Sequence, residues 1–138
     1  KRHMILLFRP IPRSIFGIHN PVGIHIIFQL RVGLSHLRSH KKNHNFLDTP
    51  SNKCICLLRE VENTRHFLLT CPLFSRHRET LGNEVNRIMV RNNVIINDHV
   101  KLYLYGDPLL NNADNKKIIL ATISFIFKTG RFSALKET

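Results

Sequence analysis

The chain has 138 residues, 43% of them hydrophobic, which is enough for one modest core with or without an extended arm. Its 21 Lys and Arg residues against 9 Asp and Glu give a formal net charge of +12, which favours a polyanionic partner such as nucleic acid. The longest apolar run, Ile118 to Phe127, is too short to span a bilayer, and Met4 to Phe8 is too short for a secretory signal. We therefore expect an intracellular protein without a membrane partner.

The first predicted elements are an arm and a helix. Residues 1–20 are basic and apolar and include two prolines, a composition that predicts an irregular arm. Asn20-Pro21 then predicts a helix start, because Asn is a favoured N-cap and Pro suits the first helical position. Gly33 is expected to interrupt this helix.

The segment 31–44 is the densest basic stretch of the chain. We expect a second helix there, capped by Ser35 and ending near His44. Candidates for contacts with nucleic-acid phosphates are the basic side chains Arg31, Arg38, Lys41, Lys42 and Arg76. His40 and His44 have the i, i+4 spacing of a metal-binding pair, but a solvated or phosphate-facing role is favoured for both.

All three cysteines lie close together and share their segment with one histidine: Cys54, Cys56, His66 and Cys71. Thiolate sulfur and imidazole nitrogen are the ligands that Zn²⁺ prefers, and four of them complete a closed tetrahedral structural site. The pattern therefore favours a structural zinc knuckle. Two alternatives stay open, namely buried reduced thiols that fill a core, and a disulfide that leaves one thiol over.

The stretch between the two ligand pairs is predicted to be short and turned. Residues 57–63 would form a short hairpin, and Thr64 would cap a short helix that ends at Cys71-Pro72. On a regular α-helix His66 and Cys71 are more than one turn apart. Both can reach one ion only if Cys71 lies at the frayed end of that helix.

Residues 73–89 have apolar side chains at helical spacing and predict an amphipathic helix that packs on the knuckle. Arg76 and Arg87 would lie on its outer face. For His99 to Tyr105 the apolar alternation also fits a strand, but Asp98 as cap and Gly106 as terminator favour a short helix.

A last helix is predicted from about residue 111 to Thr129, with Gly130 as its C-cap. It is apolar nearly all round, which indicates burial or docking on a partner. Together the elements predict a mainly α protein, a small helical domain with a Cys-Cys-His-Cys zinc knuckle between helices. Its segments would be a basic irregular arm (1–20), basic helices with the knuckle and its packing helix (21–90), and a C-terminal helical tail (91–138).

Several of these motifs resemble a known family. The blocks Leu-Arg-Val-Gly-Leu-Ser-His-Leu (30–37), Cys-Ile-Cys (54–56) and His-Phe-Leu-Leu-Thr-Cys-Pro (66–72) are similar to the C-terminal region of reverse transcriptases from non-LTR (LINE-type) retrotransposons. That region follows the polymerase domain and carries a Cys-Cys-His-Cys knuckle. The resemblance covers residues 28–85 and implies that the ligands of a structural Zn²⁺ are Cys54, Cys56, His66 and Cys71.

The resemblance also implies a function. The chain would help to grip RNA or DNA for target-primed reverse transcription, beside an upstream polymerase domain and in the nucleus. The sequence contains no Phe/Tyr-x-Asp-Asp motif, which would hold the catalytic metal ions of a polymerase. We therefore expect no enzymatic activity and no small-molecule substrate.

Two other functions stay open. In the first, the chain is a structural, protein-docking module that packs on a polymerase domain, and basic residues scattered over the surface would favour it. In the second, it is a metal-dependent nuclease with Asp98 or Asp107 and the Asp-Asn-Lys of residues 114–116, which lie at a helix start rather than on a strand. Phe46 and Phe67 have rings that can stack on bases, although burial is favoured for both.

Overall fold

The structure is a computed structural model that describes residues 17–132. Its α-helices are α1 (Pro21–Val32), α2 (Arg38–Asn43), α3 (Ser75–Arg91), α4 (His99–Tyr105) and α5 (Asn112–Thr129). A π-helical turn at His66–Thr70 and a 3-10 turn at Pro72–Phe74 precede α3. In the described part of the chain the only β pairing is one antiparallel bridge between Lys53 and Val61. The prediction of a mainly α domain with a Cys-Cys-His-Cys cluster among its helices is confirmed.

The predicted arm lies mostly outside the described residues, since residues 1–16 are not among them. The predicted N-caps of α1 and α4 are confirmed, as is the predicted start of α5 near residue 111. Side-chain oxygens of Asn20, Asp98 and Asn111 each accept a hydrogen bond from a backbone N–H in the first turn of their helix. Gly33 and Gly130 end α1 and α5 in the left-handed conformation, which glycine adopts without a steric penalty.

Two other cap predictions are wrong. Ser35 does not cap α2, because its hydroxyl pairs with Nδ1 of the buried His40 at 2.7 Å, and α2 begins later than predicted. The turn that carries His66 is capped by Asn63, whose Oδ1 accepts the His66 N–H at 2.8 Å, and not by Thr64. Ser, Thr and Asn side chains can each bond to nearby backbone groups, so several of them are candidates for one cap. In both cases tertiary contacts decided whether the predicted side chain caps the helix.

Helix α5 lies at the centre of a hydrophobic core that draws on residues both before and after residue 90. It packs on α3, α4 and α1, and nine of its side chains are buried. The approach of α1 is close at Gly23, where a Cβ would lie 2.6 Å from Cγ2 of Ile123. Contacts on several sides explain the nearly uniform apolar character of α5. Within residues 17–132, no helix has both the length and the apolar character needed to cross a bilayer.

Arg31 and Arg78 each join a helix to a neighbouring element through hydrogen bonds to backbone carbonyls. Arg31 of α1 donates from Nε and Nη2 to the carbonyl of Leu104, at 2.8 and 2.6 Å, and its guanidinium lies 4.2 Å from the centroid of the Tyr105 ring. These contacts satisfy a carbonyl at the C-terminal end of α4. Arg78 of α3 donates to two carbonyls of the π-helical turn, at 2.8 and 3.0 Å, and so fixes α3 against that turn.

A partly buried ion pair joins three distant parts of the chain. Arg131, just after α5, contacts both carboxylate oxygens of Glu62, with Nε–Oε2 and Nη2–Oε1 distances of 2.7 Å. Arg131 also donates to the His36 carbonyl at 2.9 Å, and Glu62 accepts the Arg38 N–H at 2.8 Å. Burial alone would raise the pKa of Glu62, but the hydrogen bonds from Arg131 and from the Arg38 N–H hold it below its usual value.

We predict that Glu62→Gln lowers the free energy of unfolding by about 2–3 kcal/mol at neutral pH, because it leaves the Arg131 guanidinium without its charged partner. The folded pKa of Glu62 lies below its unfolded value of about 4.5. The pair therefore contributes fully above that value, and its contribution is lost as the pH falls through the lower folded pKa. Urea titrations over a pH series should show wild type and variant converging in acid.

Glu79→Gln, on the exposed face of α3, is the control and should stay close to wild type throughout. A difference between wild type and Glu62→Gln that does not change with pH would contradict this account.

Candidate metal centre and basic surface

The four predicted ligand residues converge in one buried cluster, the knuckle site, formed by Cys54, Cys56, His66 and Cys71. Their ligand atoms all lie within 4.8 Å of one another, and none of the four residues is more than 3% exposed. The Sγ atoms of Cys54 and Cys71 are 3.8 Å apart, and Sγ of Cys56 lies 3.5 Å from Nε2 of His66. Such a group can hold a metal ion.

A tight hairpin presents the first two cysteines. The Cys54 N–H donates to the Glu60 carbonyl at 2.7 Å, next to the antiparallel bridge. Arg59, with a φ of 54°, reverses the chain, and its N–H donates to the Cys56 carbonyl at 3.1 Å. The hairpin therefore begins at residue 53 and includes both cysteines, earlier than the 57–63 predicted.

A widened helical turn presents the other two ligands. The Cys71 N–H donates to the His66 carbonyl at 2.8 Å, an i→i+5 bond of the π-helical type. This bond closes a turn of five residues, so that residue 71 returns to the side of residue 66. Cys71 does lie at the end of the helical turn, as expected, but widening of the turn rather than fraying brings the two ligands together.

The second nitrogen of the His66 ring has its own partners. Nδ1 lies 3.1 Å from Oε1 of Glu60 and 3.1 Å from Oγ1 of Thr70. With a proton on Nδ1, the ring donates to these oxygens and turns the lone pair of Nε2 toward the thiols. Support of this kind orients a metal-binding histidine and raises its basicity.

The three cysteines are free thiols, so the disulfide considered above is absent. Burial raises the pKa of Cys54 to about 12 and also raises that of Cys71. Burial opposes ionisation of Cys56 as well, but the N–H groups of Leu58 and Arg59 outweigh it and lower the pKa of this thiol to about 7. A bound cation stabilises thiolates in such a setting, because a coordinating thiol loses its proton.

The five basic candidates are not gathered in one cluster. Arg38 and Lys41 line a cavity of about 420 Å³ beside the knuckle site, which we call the knuckle cavity. Lys42 of α2 and Arg76 of α3 are exposed. Arg31 is held against α4 by the contacts described above, so a phosphate would have to displace those contacts to reach its guanidinium.

The charged groups around the knuckle cavity differ in availability. Among residues 17–132, the Arg38 side chain has no hydrogen-bond or ion-pair partner. Lys41 forms an ion pair with Asp48 at 2.9 Å, and the Asp48 side chain is 68% exposed. Burial, together with the charges of Lys41 and Arg131, lowers the pKa of His36, so this imidazole is neutral at pH 7.

The predictions for His40 and Phe46 are wrong, and the prediction for Phe67 is confirmed. His40 is neither solvated nor phosphate-facing, since it is 8% exposed and its ring nitrogens contact Ser35 and Thr64. Phe46 is 51% exposed rather than buried. Phe67 is fully buried, as predicted, and lies among three other phenylalanine rings at centroid distances of 5.3, 5.4 and 5.6 Å.

The structure gives the nuclease hypothesis no support. The Asp114 carboxylate is buried and accepts hydrogen bonds from Arg91 at 2.6 Å and Asn92 at 3.0 Å. It therefore joins the C-terminal end of α3 to the start of α5. Asp98 uses one carboxylate oxygen to cap α4.

A second set of basic residues was missed by the sequence reasoning. A groove of about 410 Å³ between α3 and α5 is lined by five basic or imidazole side chains, namely His77, Arg87, Arg91, Lys117 and Lys128. The antiparallel packing of α3 on α5 brings these side chains together. The sequence shows only that Arg87 and Arg91 have the i, i+4 spacing of residues on one helix face. The groove and the knuckle cavity share no lining residue, so the basic side chains that line cavities fall in two separate places.

Comparison of the chain with known protein families gave no match, and no similar protein was found among curated proteins or solved structures. The resemblance to retrotransposon reverse transcriptases therefore stays a prediction from the motifs.

We predict that Cys71→Ser abolishes metal binding and unfolds much of the domain, because binding free energy at a structural metal site is folding free energy. Elemental analysis of protein purified without added metal, together with thermal unfolding, measures both effects. The matched control is Ile55→Ser, between two ligands but 75% exposed, which should keep both metal and fold. Unchanged metal content and stability in Cys71→Ser would contradict the ligand assignment.

Proposed function

We propose that the chain is a zinc-stabilised nucleic-acid-binding module without catalytic residues of its own. The observation that carries the proposal is the geometry of the knuckle site. In tetrahedral zinc sites, Zn–S distances of about 2.3 Å and Zn–N distances of about 2.0–2.1 Å place sulfurs about 3.8 Å apart and sulfur and nitrogen about 3.5 Å apart. Two pairs of the knuckle site, Cys54 with Cys71 and Cys56 with His66, are separated by 3.8 and 3.5 Å.

The donor set also favours zinc over Mg²⁺ and Ca²⁺. Three thiols and one imidazole suit a soft or borderline ion, whereas Mg²⁺ and Ca²⁺ prefer oxygen ligands. Four protein ligands close the coordination shell, so the ion would be structural rather than catalytic. It would hold the hairpin of Cys54 and Cys56 to the π-helical turn, and so fix the position of α2 relative to α3.

The charge supports the nucleic-acid part of the proposal. A net charge of +12 on 138 residues attracts polyanions without sequence preference. Arg38 and Lys41 lie beside the knuckle site, and Lys42 and Arg76 are exposed nearby in sequence. The motif resemblance supports a place behind the polymerase domain of a retrotransposon reverse transcriptase, where the module would bind RNA or DNA in the nucleus.

A protein-docking module is the second candidate, and two observations favour it. The five basic candidates are not gathered on one face, and aliphatic side chains are exposed on the hairpin. Ile55, Leu57 and Leu58 are 75%, 95% and 53% exposed. Apolar groups gathered in one turn often mark a contact with another protein. Helix α5 is not the docking element, because its apolar side chains are largely buried inside the domain.

We predict that the chain binds nucleic acid with a steep dependence on salt, because each neutralised phosphate releases counterions. Lys42→Ala should weaken binding and lower the slope of log Kobs against log salt by about 0.7 for a single strand. Fluorescence anisotropy of labelled RNA and DNA over a salt series provides the measurement. Lys101→Ala, exposed on α4, is the control for loss of one charge and should have a smaller effect. No salt-dependent binding by the wild type would favour the docking module.

We also predict that Glu60→Gln lowers zinc affinity about tenfold, because partners of a metal-binding histidine tune its basicity. The effect should be modest, since Thr70 also contacts His66 Nδ1 and the Glu60 side chain is 55% exposed. Competition with a coloured zinc chelator measures the affinity, and Glu79→Gln serves as the control. If Glu60→Gln and Glu79→Gln bind zinc with equal affinity, Glu60 does not tune the metal centre.

A further inference from the structure

The knuckle cavity combines cationic and apolar lining with two carboxylates, those of Asp48 and Glu62, which are paired with Lys41 and Arg131. Helix α2 contributes Arg38 and Lys41, which share one face because they are three residues apart. The hairpin and the 3-10 turn contribute Ile55, Leu73 and Phe74. A ligand that satisfies both parts must carry a negative charge next to an apolar surface.

The cationic part is free to receive an anion. The Arg38 side chain forms no hydrogen bond or ion pair within residues 17–132, although its charge helps to lower the pKa of Glu62. In the ion pair between Lys41 and Asp48, the Asp48 side chain is 68% exposed and the Lys41 side chain 20% exposed. This pair is a single contact with an exposed carboxylate, so a phosphate can displace the carboxylate. Arg131, by contrast, contacts both carboxylate oxygens of Glu62, whose side chain is 5% exposed, and stays in place. The cavity therefore offers two cationic side chains to a ligand.

The apolar part is exposed to solvent. Ile55 is 75% exposed and Leu73 is 53% exposed. Covering these side chains with a flat apolar group removes their surface from water, which is favourable. A nucleotide has such a group in its base and has its negative charge on the adjoining phosphate.

We propose that the knuckle cavity receives one unpaired nucleotide of a single-stranded nucleic acid, with its phosphate on Arg38 and Lys41 and its base against Ile55 and Leu73. The inference rests on the proposed nucleic-acid-binding function and adds a requirement for unpaired bases. The volume of about 420 Å³ lies in the range of ligand pockets, roughly 300–1,000 Å³. A duplex keeps its bases stacked and paired, so it can use only the cationic part.

The first test compares two oligomers of equal length and phosphate number, an oligothymidine and its fully abasic counterpart. Both are measured by fluorescence anisotropy with the metal-loaded full chain at one salt concentration. Because both carry the same phosphate charge, a difference in affinity reports contact with bases. We expect the oligothymidine to bind about tenfold more tightly, in line with measured contributions of single bases.

Variants locate the base contact. Leu73→Ser should remove most of the preference for the oligothymidine and leave the affinity for the abasic oligomer unchanged. Leu109→Ser changes a side chain that is 77% exposed and lies outside the cavity, so it should leave both affinities at wild-type values. Arg38→Ala should weaken both oligomers alike. Metal content and circular dichroism verify that each variant is folded.

Each outcome bears on a different claim. Equal, salt-dependent binding of both oligomers overturns the base-binding cavity and leaves the proposed function intact. A preference that survives Leu73→Ser places the base elsewhere and also overturns the cavity, as does an equal effect of Leu109→Ser. If neither oligomer binds, the proposed nucleic-acid-binding function itself fails.

Discussion

The fold depends on the hydrogen bond from the Cys71 N–H to the His66 carbonyl, which widens one helical turn. The turn supplies two ligands to the knuckle site on one side and the fully buried Phe67 to the core on the other. Its carbonyls also accept the two hydrogen bonds from Arg78 that hold α3 in place. A regular α-helical turn would rotate Cys71 away from His66 and break the link between metal centre and core.

The ion pair of Glu62 and Arg131 has a similar linking role. It connects the end of α5, the start of α2 and the segment that follows the hairpin, and its members also satisfy backbone groups of His36 and Arg38. Arg38 and Lys41 lie in the knuckle cavity because this pair positions the helix that carries them. The ion pair of Glu62 and Arg131 thereby decides which cationic side chains line the knuckle cavity and are available to a ligand.

The arrangement of charge differs from a single basic face. Some arginines are held by structural partners, as Arg31 is by α4 and Arg131 by Glu62. These guanidinium groups are not available to a polyanion. Of the other basic side chains, some line the knuckle cavity or the groove between α3 and α5, and others, such as Lys42, Arg76 and Lys101, are exposed outside both. Net charge alone therefore overstates the number of cations that a polyanion can contact.

Local chemistry along the chain determined the helices and their ends. Asn20 and Asp98 cap their helices, Gly33 and Gly130 end theirs, and the ligand set of the knuckle site followed from the spacing of cysteines and one histidine. These features depend on residues within a few positions of one another, so the sequence was enough to predict them. The same holds for the apolar character of α5, which indicated burial before its neighbours were known.

Only the tertiary structure decided which polar and charged groups have partners. The Ser35 hydroxyl contacts His40 instead of capping α2, and Arg31 donates to a carbonyl of α4. Lys117 and Arg87 line the same groove because of the packing of two helices. The π-helical turn belongs here too, because its regular alternative differs by one hydrogen-bond register that local sequence does not select. Contacts between residues far apart in sequence depend on how the helices pack, and no local pattern of residue types encodes that packing.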